Sequence, residues 1–127
     1  MLALTELARR ADDGPVPVVE IAENREIPPH VLEPIFGALR RAGILQSQRG
    51  VKGGYSFRRS PAEVAVIEVV EVVDGRIGVG ADGEGAGPGD WVWVEAASAL
   101  VGALEELTIA GIAEREAHEQ SAPMFHI

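Results

Sequence analysis

Cysteine is absent from this 127-residue chain, which excludes disulfides, thiolate catalysis, cysteine-ligated zinc and ordinary cysteine-ligated iron-sulfur clusters. No apolar run approaches the length of about 18 residues that a membrane span needs, and no basic-then-apolar leader opens the sequence. A cytoplasmic location is therefore expected. No paired nucleophile and base and no phosphate-cradling motif is recognisable, so an enzyme is not expected. The histidines, His30, His118 and His126, have no spacing that suggests a metal site. Neither a metal nor another cofactor is assigned.

What is present is ordinary globular composition, with 46% hydrophobic and 24% charged residues, enough for one compact domain with an appended helix. The net charge of -9 opposes contact with a polyanion, but the charge is unevenly spread. Residues 1–60 hold nine Lys or Arg against seven Asp or Glu, whereas residues 61–127 hold two against thirteen. Between Arg40 and Arg59 lie Arg40, Arg41, Arg49, Lys52, Arg58 and Arg59 with no acid among them.

Apolar spacing predicts a first helix over residues 2–11, stopped by Asp12, Asp13, Gly14 and Pro15. A second helix of about two turns is expected within VPVVEIAENREI, burying Val19, Ile21, Ala22 and Ile27. A third begins at Pro28–Pro29, with Val31, Leu32, Ile35, Phe36, Leu39 and Ala42 as its stripe and Gly43 as its stop. Pro34 falls inside this helix and should kink it slightly. ILQSQRG, VKGG and YSFRR then read as two short strands around a glycine turn. Two helices followed by such a hairpin make a winged helix-turn-helix, a mainly α fold with a small β wing.

Residues 62–73, AEVAVIEVVEVV, suit a strand by their valine content and a helix by the spacing of Val64, Ile67 and Val70; the neighbouring elements favour the helix. Residues 76–90 are expected to be a glycine-rich surface loop. Within residues 91–127, Trp91 to Glu116 reads as one long helix, weakened at Gly102 and Gly111, and SAPMFHI as a tail or small cap. Its stripe of Ala97, Leu100, Val101, Leu104, Leu107, Ile109 and Ile112 exceeds what a head of residues 1–75 can cover. A homodimer through this helix is the expectation.

The segment GPVPVVEIAENREIPPHVLEPIFGALRRAGILQSQRGVKGGY, the acidic helix ending in VVDG, and ALEELTIAGIAE together resemble the IscR/NsrR/CymR-like (Rrf-two) family of winged helix-turn-helix transcription regulators. LRRAGIL–QSQRG–VKGGY, Leu39 to Tyr55, is the most specific piece. By general mechanism, the helix from Pro29 would enter the major groove with His30 and Glu33 nearest the base edges. Glu33 matches the family's base-contacting glutamate and can accept from a cytosine amino group; a solvated helix glutamate is the bland alternative. His30 stands where the family often has serine or threonine, which leaves base contact, phosphate contact and simple capping open.

The resemblance implies that Arg49 inserts into a narrow minor groove, with Lys52, Gly53, Gly54 and Tyr55 forming the wing turn and glycine allowing close approach to phosphate. Arg40, Arg41, Arg58 and Arg59 are candidate phosphate contacts, each equally readable as a solvated charge. Trp93 matches a family tryptophan; for Trp91 and Trp93, packing in the core or dimer interface is preferred over ligand stacking.

The chain also departs from the family. Its cluster-binding members carry three cysteines where this chain has GRIGVGADGEGAGPGD, and Asp90, near a further ligand position, cannot hold a cluster alone. Relatives begin further upstream, so Met1 falls inside the family's first helix. The expected function is a homodimeric, sequence-specific repressor on a palindromic operator in double-stranded DNA; cysteine-free relatives answer to a partner protein, a small molecule or no known signal, and this sequence does not choose between them. The alternative is a degenerate member whose acidic half binds a protein while its DNA contacts are vestigial.

Overall fold

In the computed structural model, which describes residues 1–75 and 89–121, each element ends where its sequence runs out of support. α1 (Leu2–Arg9) stops before Asp12, Asp13, Gly14 and Pro15, which pass through a 3-10 turn at Ala11–Asp13. α2 (Val18–Asn24) starts after Pro17, and α3 (Pro29–Arg41) has Pro29 in its first turn, where the missing N–H costs no bond. The hairpin strands are β1 (Leu45–Gln48) and β2 (Gly54–Phe57), paired antiparallel with Leu45 opposite Phe57 and Gln48 opposite Gly54. After a 3-10 turn at Pro61–Glu63 come α4 (Val66–Asp74), α5 (Asp90–Glu106) and α6 (Ile109–Ser121). The fold is mainly α with a β-hairpin wing, as the sequence indicates.

α1 turns Ala3, Leu4 and Leu7 inward, and the buried Thr5 satisfies its hydroxyl by donating to the Leu2 carbonyl at 2.8 Å. α2 buries Val18, Ile21 and Ala22. Val19 is exposed, contrary to expectation, because starting the helix at Val18 gives the i, i+3, i+4 face to Val18. α3 buries Leu32, Phe36 and Leu39, with Ile35 flanking them. Its stripe is narrower than the sequence suggested, and Val31 and Ala42 are exposed. The helix continues through Pro34. Ile44, Leu45, Val64, Val66 and Val69 close the same core.

The largest correction concerns the C-terminal half, where two helices replace the single one expected. Leu107 is extended, and the chain there pairs with the entrance to α4: Val66 N–H donates to the Leu107 carbonyl at 2.8 Å and Ile109 N–H to the Val64 carbonyl at 3.0 Å. Thr108 then caps α6, its hydroxyl accepting from Gly111 N–H at 3.0 Å. α6 returns to α1 and places Ile109 in the head core, fully buried. α5, in contrast, contributes no fully buried side chain among those described. No helix of the described residues is long and apolar enough to cross a membrane. The expected glycine loop, apart from its last residues, and the tail with His126 lie outside the described residues, as does the side chain of Asp90.

A polar clasp holds α6 in place. Arg25, just past α2, donates to Glu6 of α1 at 3.0 Å and to Glu116 of α6 at 2.5 Å; Arg9 also donates to Glu116 at 3.3 Å, and the Thr5 hydroxyl, shared with the Leu2 carbonyl, lies 3.3 Å from the same carboxylate. The Arg25 and Glu116 side chains retain 13% and 17% of their exposure, so the pair is shielded from solvent screening. Hydrogen bonding from Arg25 is the main cause that holds the Glu116 carboxyl below its ordinary value, and Glu116 in turn raises Arg25. Removing Arg25 leaves Glu6 and Glu116 without their shared counter-charge. Arg25→Ala is expected to lose about 3 kcal/mol in urea unfolding at neutral pH. Because Glu116 is depressed in the folded state, its contribution is complete above the ordinary glutamate value of about 4.3 and fades as pH falls through the lower folded value, so the gap between wild type and variant should narrow in acid. A gap independent of pH would contradict this.

Candidate nucleic-acid interface

The outward side of α3 is the one opposite Leu32, Phe36 and Leu39. His30, Glu33, Pro34, Arg40 and Arg41 are exposed there, with Gly37 between them. Proline and glycine both weaken a helix interior, glycine by about 1 kcal/mol relative to alanine. At Gly37, an added Cβ would meet nothing closer than the Arg41 guanidinium at 3.4 Å, so its smallness answers no internal packing need. Pro34 and Gly37 instead leave a low stretch in the middle of the exposed face. The sequence reading missed both as site residues, although two helix-weakening residues in one helix are the available signal.

α3 passes directly into the wing. Tyr55 of β2 sets its ring edge-on to Phe36 of α3, with centroids 5.3 Å apart and planes at 78°. On its other side the strand forms a two-bond bridge to the segment before α2, Val16 N–H to the Tyr55 carbonyl and Tyr55 N–H to the Val16 carbonyl, both at 2.8 Å. Gly54 makes this bridge feasible: its φ of +148° is a glycine conformation, and a Cβ there would collide with the Val16–Pro17 backbone. Gly53 is buried, and its Cβ would strike the backbone of Gln48, Arg49 and Gly50. These glycines are thus required by the wing's own closure. The turn is Gly50–Gly53, closed by Gly53 N–H to the Gly50 carbonyl at 2.9 Å. Gly54 and Tyr55, expected in the turn, belong to β2.

Charge pairing sorts the cations. Among the described residues, Arg9, Arg10, Arg25, Arg59 and Arg115 each lie within 4.0 Å of a carboxylate. Arg40, Arg41, Arg49, Lys52 and Arg58 are exposed and have no such partner among them. Arg59 is the exception to the expected basic set. It donates to Glu68 at 2.6 Å and to the Glu63 carbonyl at 2.9 Å, while Glu68 accepts from Ala65 N–H at 2.9 Å. Hydrogen bonding from Arg59 is the main reason the Glu68 carboxyl sits below its ordinary value. The five unpaired cations all lie between residues 40 and 58, on the end of α3 and on the hairpin and its edges.

The residues expected to form a dimer interface lie along α5. Trp91 and Trp93 are 64% and 69% exposed, and Leu100 and Leu107 are about half-exposed. Ala97, Val101 and Leu104 are intermediate, Leu104 packing partly against the head core.

The family described as Rrf2, iron-dependent transcriptional regulator, matches residues 1–115. The regulator CymR of Bacillus subtilis (strain 168) is 30% identical, the alignment covering 98% of this chain and 91% of that protein. IscR of Aliivibrio salmonicida (strain LFI1238) is 42% identical over 84% of this chain and 68% of its own length. Among solved structures, T. potens IscR superposes with a TM-score of 0.81 at 27% identity, over 95% of this chain and 85% of that one. The donor set does not fit the iron in the family's description: the chain has no cysteine, and among the described residues no three His, Cys, Asp or Glu side chains gather as a metal-holding group.

The wing's geometry ranks its glycines. Gly54→Ala is expected to lose about 3 kcal/mol in urea unfolding, through a strained φ combined with a backbone collision, whereas Gly50→Ala, at φ +114° with open space around it, should lose about 1 kcal/mol. Equal losses would mean that the approach of Gly54 to Val16 does not limit the fold.

Proposed function

The chain belongs to the Rrf2 family of transcriptional regulators, a non-enzymatic family, and from that membership we propose that it is a sequence-specific, homodimeric repressor acting on a palindromic operator in the cytoplasm. The observation that carries the DNA interface is the sorting of charge. Every described Lys or Arg lacking a carboxylate partner falls on α3 or in and beside the wing, while the other described arginines are spent within the protein. An overall acidic protein thereby presents a cationic surface where a duplex would lie.

In this reading α3 enters the major groove, Glu33 and His30 reach base edges, and the low stretch at Pro34 and Gly37 lets the helix axis come close to the groove floor. Arg49 enters the minor groove, where narrowness concentrates negative potential. Arg40, Arg41, Lys52 and Arg58 meet phosphates and fix register. Arg59 has no part in this set, since its guanidinium is already held by Glu68 and the Glu63 carbonyl. Repression follows by excluding polymerase from the operator.

The dimer forms along α5. Trp93, Ala97, Leu100, Leu104 and Leu107 recur at alternating intervals of four and three, the spacing of a two-helix seam. An antiparallel pair centred on Leu100 sets Trp93 over the partner's Leu107 and large Leu104 against small Ala97. It also keeps the two copies of Glu105 and of Glu106 apart, Glu106 facing the partner's Val94 and Glu105 the partner's Glu95. A parallel pair would stack these acids and oppose Ala97 to itself.

A fluorescence-anisotropy titration with DNA from upstream of the protein's own gene tests the reading. Wild type should resist scrambled competitor, Arg49→Ala should bind about tenfold more weakly, and Glu33→Ala should lose discrimination more than affinity. Equal weak binding of both DNAs by every form would refute it. The native absence of cysteine allows a clean cross-linking test of the dimer. Ala96→Cys mixed with Ala103→Cys should cross-link to each other with a short bismaleimide, and neither should cross-link to itself; the reverse pattern would establish parallel helices.

A further inference from the structure

At the apex of the wing, Val51 is fully exposed, at 104% of its reference area, whereas the next most exposed large apolar side chain among those described is Trp93 at 69%. Single exposed apolar residues are common, but the surroundings of this one are not neutral. Val51 occupies the second position of the Gly50–Gly53 turn, a place favouring proline, glycine and small polar residues over a β-branched side chain. Gly50 and Gly53 flank the Val51–Lys52 pair, so no adjacent side chain on the Gly50 side can shield it. Gly53 is packed against the backbone of Gln48, Arg49 and Gly50, and β2 is held by Val16 and Phe36, so the turn cannot fold back to cover it. Local propensity and hydration both oppose valine here, a conflict that points to a contact made elsewhere.

The neighbours specify that contact. Arg49, two residues before it, and Lys52, next to it, are both exposed and unpaired among the described residues, so the wing tip carries an isopropyl group and two cations, with Asp13 and Glu20 lining the groove that Val51 shares with Lys52. A surface with anionic edges and a less polar floor matches it, and the DNA minor groove has that profile: phosphate walls, deoxyribose C–H groups and base edges. Within the groove, A·T and T·A pairs offer acceptors alone, whereas G·C pairs add the guanine N2 amino group. An isopropyl group over that amine would bury a donor without a partner.

Resting on the DNA-binding reading above, we propose that Val51 is a specificity-determining residue whose isopropyl group lies on the minor-groove floor beneath the wing and excludes guanine. The base pair there is then A·T or T·A.

The test uses the full chain. An operator is selected from a randomised duplex pool, and hydroxyl-radical footprinting locates the pairs protected by the wing. At those pairs A·T is replaced by G·C and by I·C, since inosine keeps guanine's major-groove edge but lacks the N2 amine. A·T and I·C should bind equally within threefold and G·C about tenfold more weakly. In Val51→Ala, whose exposed site leaves folding intact, the ratio of A·T to G·C affinity should drop below about threefold. I·C binding as weakly as G·C overturns the inference, as does a penalty that persists in Val51→Ala but vanishes in Arg49→Ala; in either case DNA binding itself stands. A pool that enriches no sequence overturns the DNA-binding reading together with this one.

Discussion

The close approach of Gly54 to the Val16–Pro17 backbone is the constraint on which the rest of the structure depends. Two backbone hydrogen bonds between Val16 and Tyr55 tie the returning strand of the hairpin to the segment that launches α2, and the Tyr55 ring meets Phe36 on the buried side of α3. The wing is thereby fixed to both helices of the helix-turn-helix at once. The proposed service of adjacent grooves by α3 and the wing requires a constant separation, and here a missing Cβ, a pair of amide hydrogen bonds and one ring contact set it.

Two ionic clasps extend this frame. The Arg25 cluster joins α1, α2 and α6, and Arg59–Glu68 joins the end of the wing to the cap of α4. Both use arginine, whose planar fork satisfies several acceptors together. The second clasp lies beside Arg58, which is unpaired among the described residues. Adjacent arginines therefore have opposite duties, one internal and one toward solvent.

Much of this was legible in the sequence because it is local. The apolar spacing of α1 and α3, Pro29 as a helix start and the glycine-punctuated hairpin each follow from neighbours in the chain. What escaped was set by distant partners. The stripe through Leu100, Leu104, Leu107 and Ile112 keeps helical spacing across Thr108, yet the backbone there is drawn off by Val64 and Val66, more than forty residues away. Likewise nothing local separates Arg59 from Arg58 before Glu68 is placed. The sequence offers Gly53 and Gly54 for approach to phosphate, whereas in the structure their Cβ positions are filled by the protein's own backbone. The full exposure of Val51 is likewise set by the tertiary fold and has no signal in its local sequence.

The central claim is that pairing within the protein divides the cations into structural and DNA-facing sets, and the salt dependence of operator affinity tests it most directly. Replacing any one of Arg40, Arg41, Lys52 or Arg58 by alanine should reduce the magnitude of the slope of log affinity against log salt by about one. Arg59→Ala should leave that slope unchanged while lowering thermal stability. A slope insensitive to the unpaired set but reduced by Arg59→Ala would contradict the account.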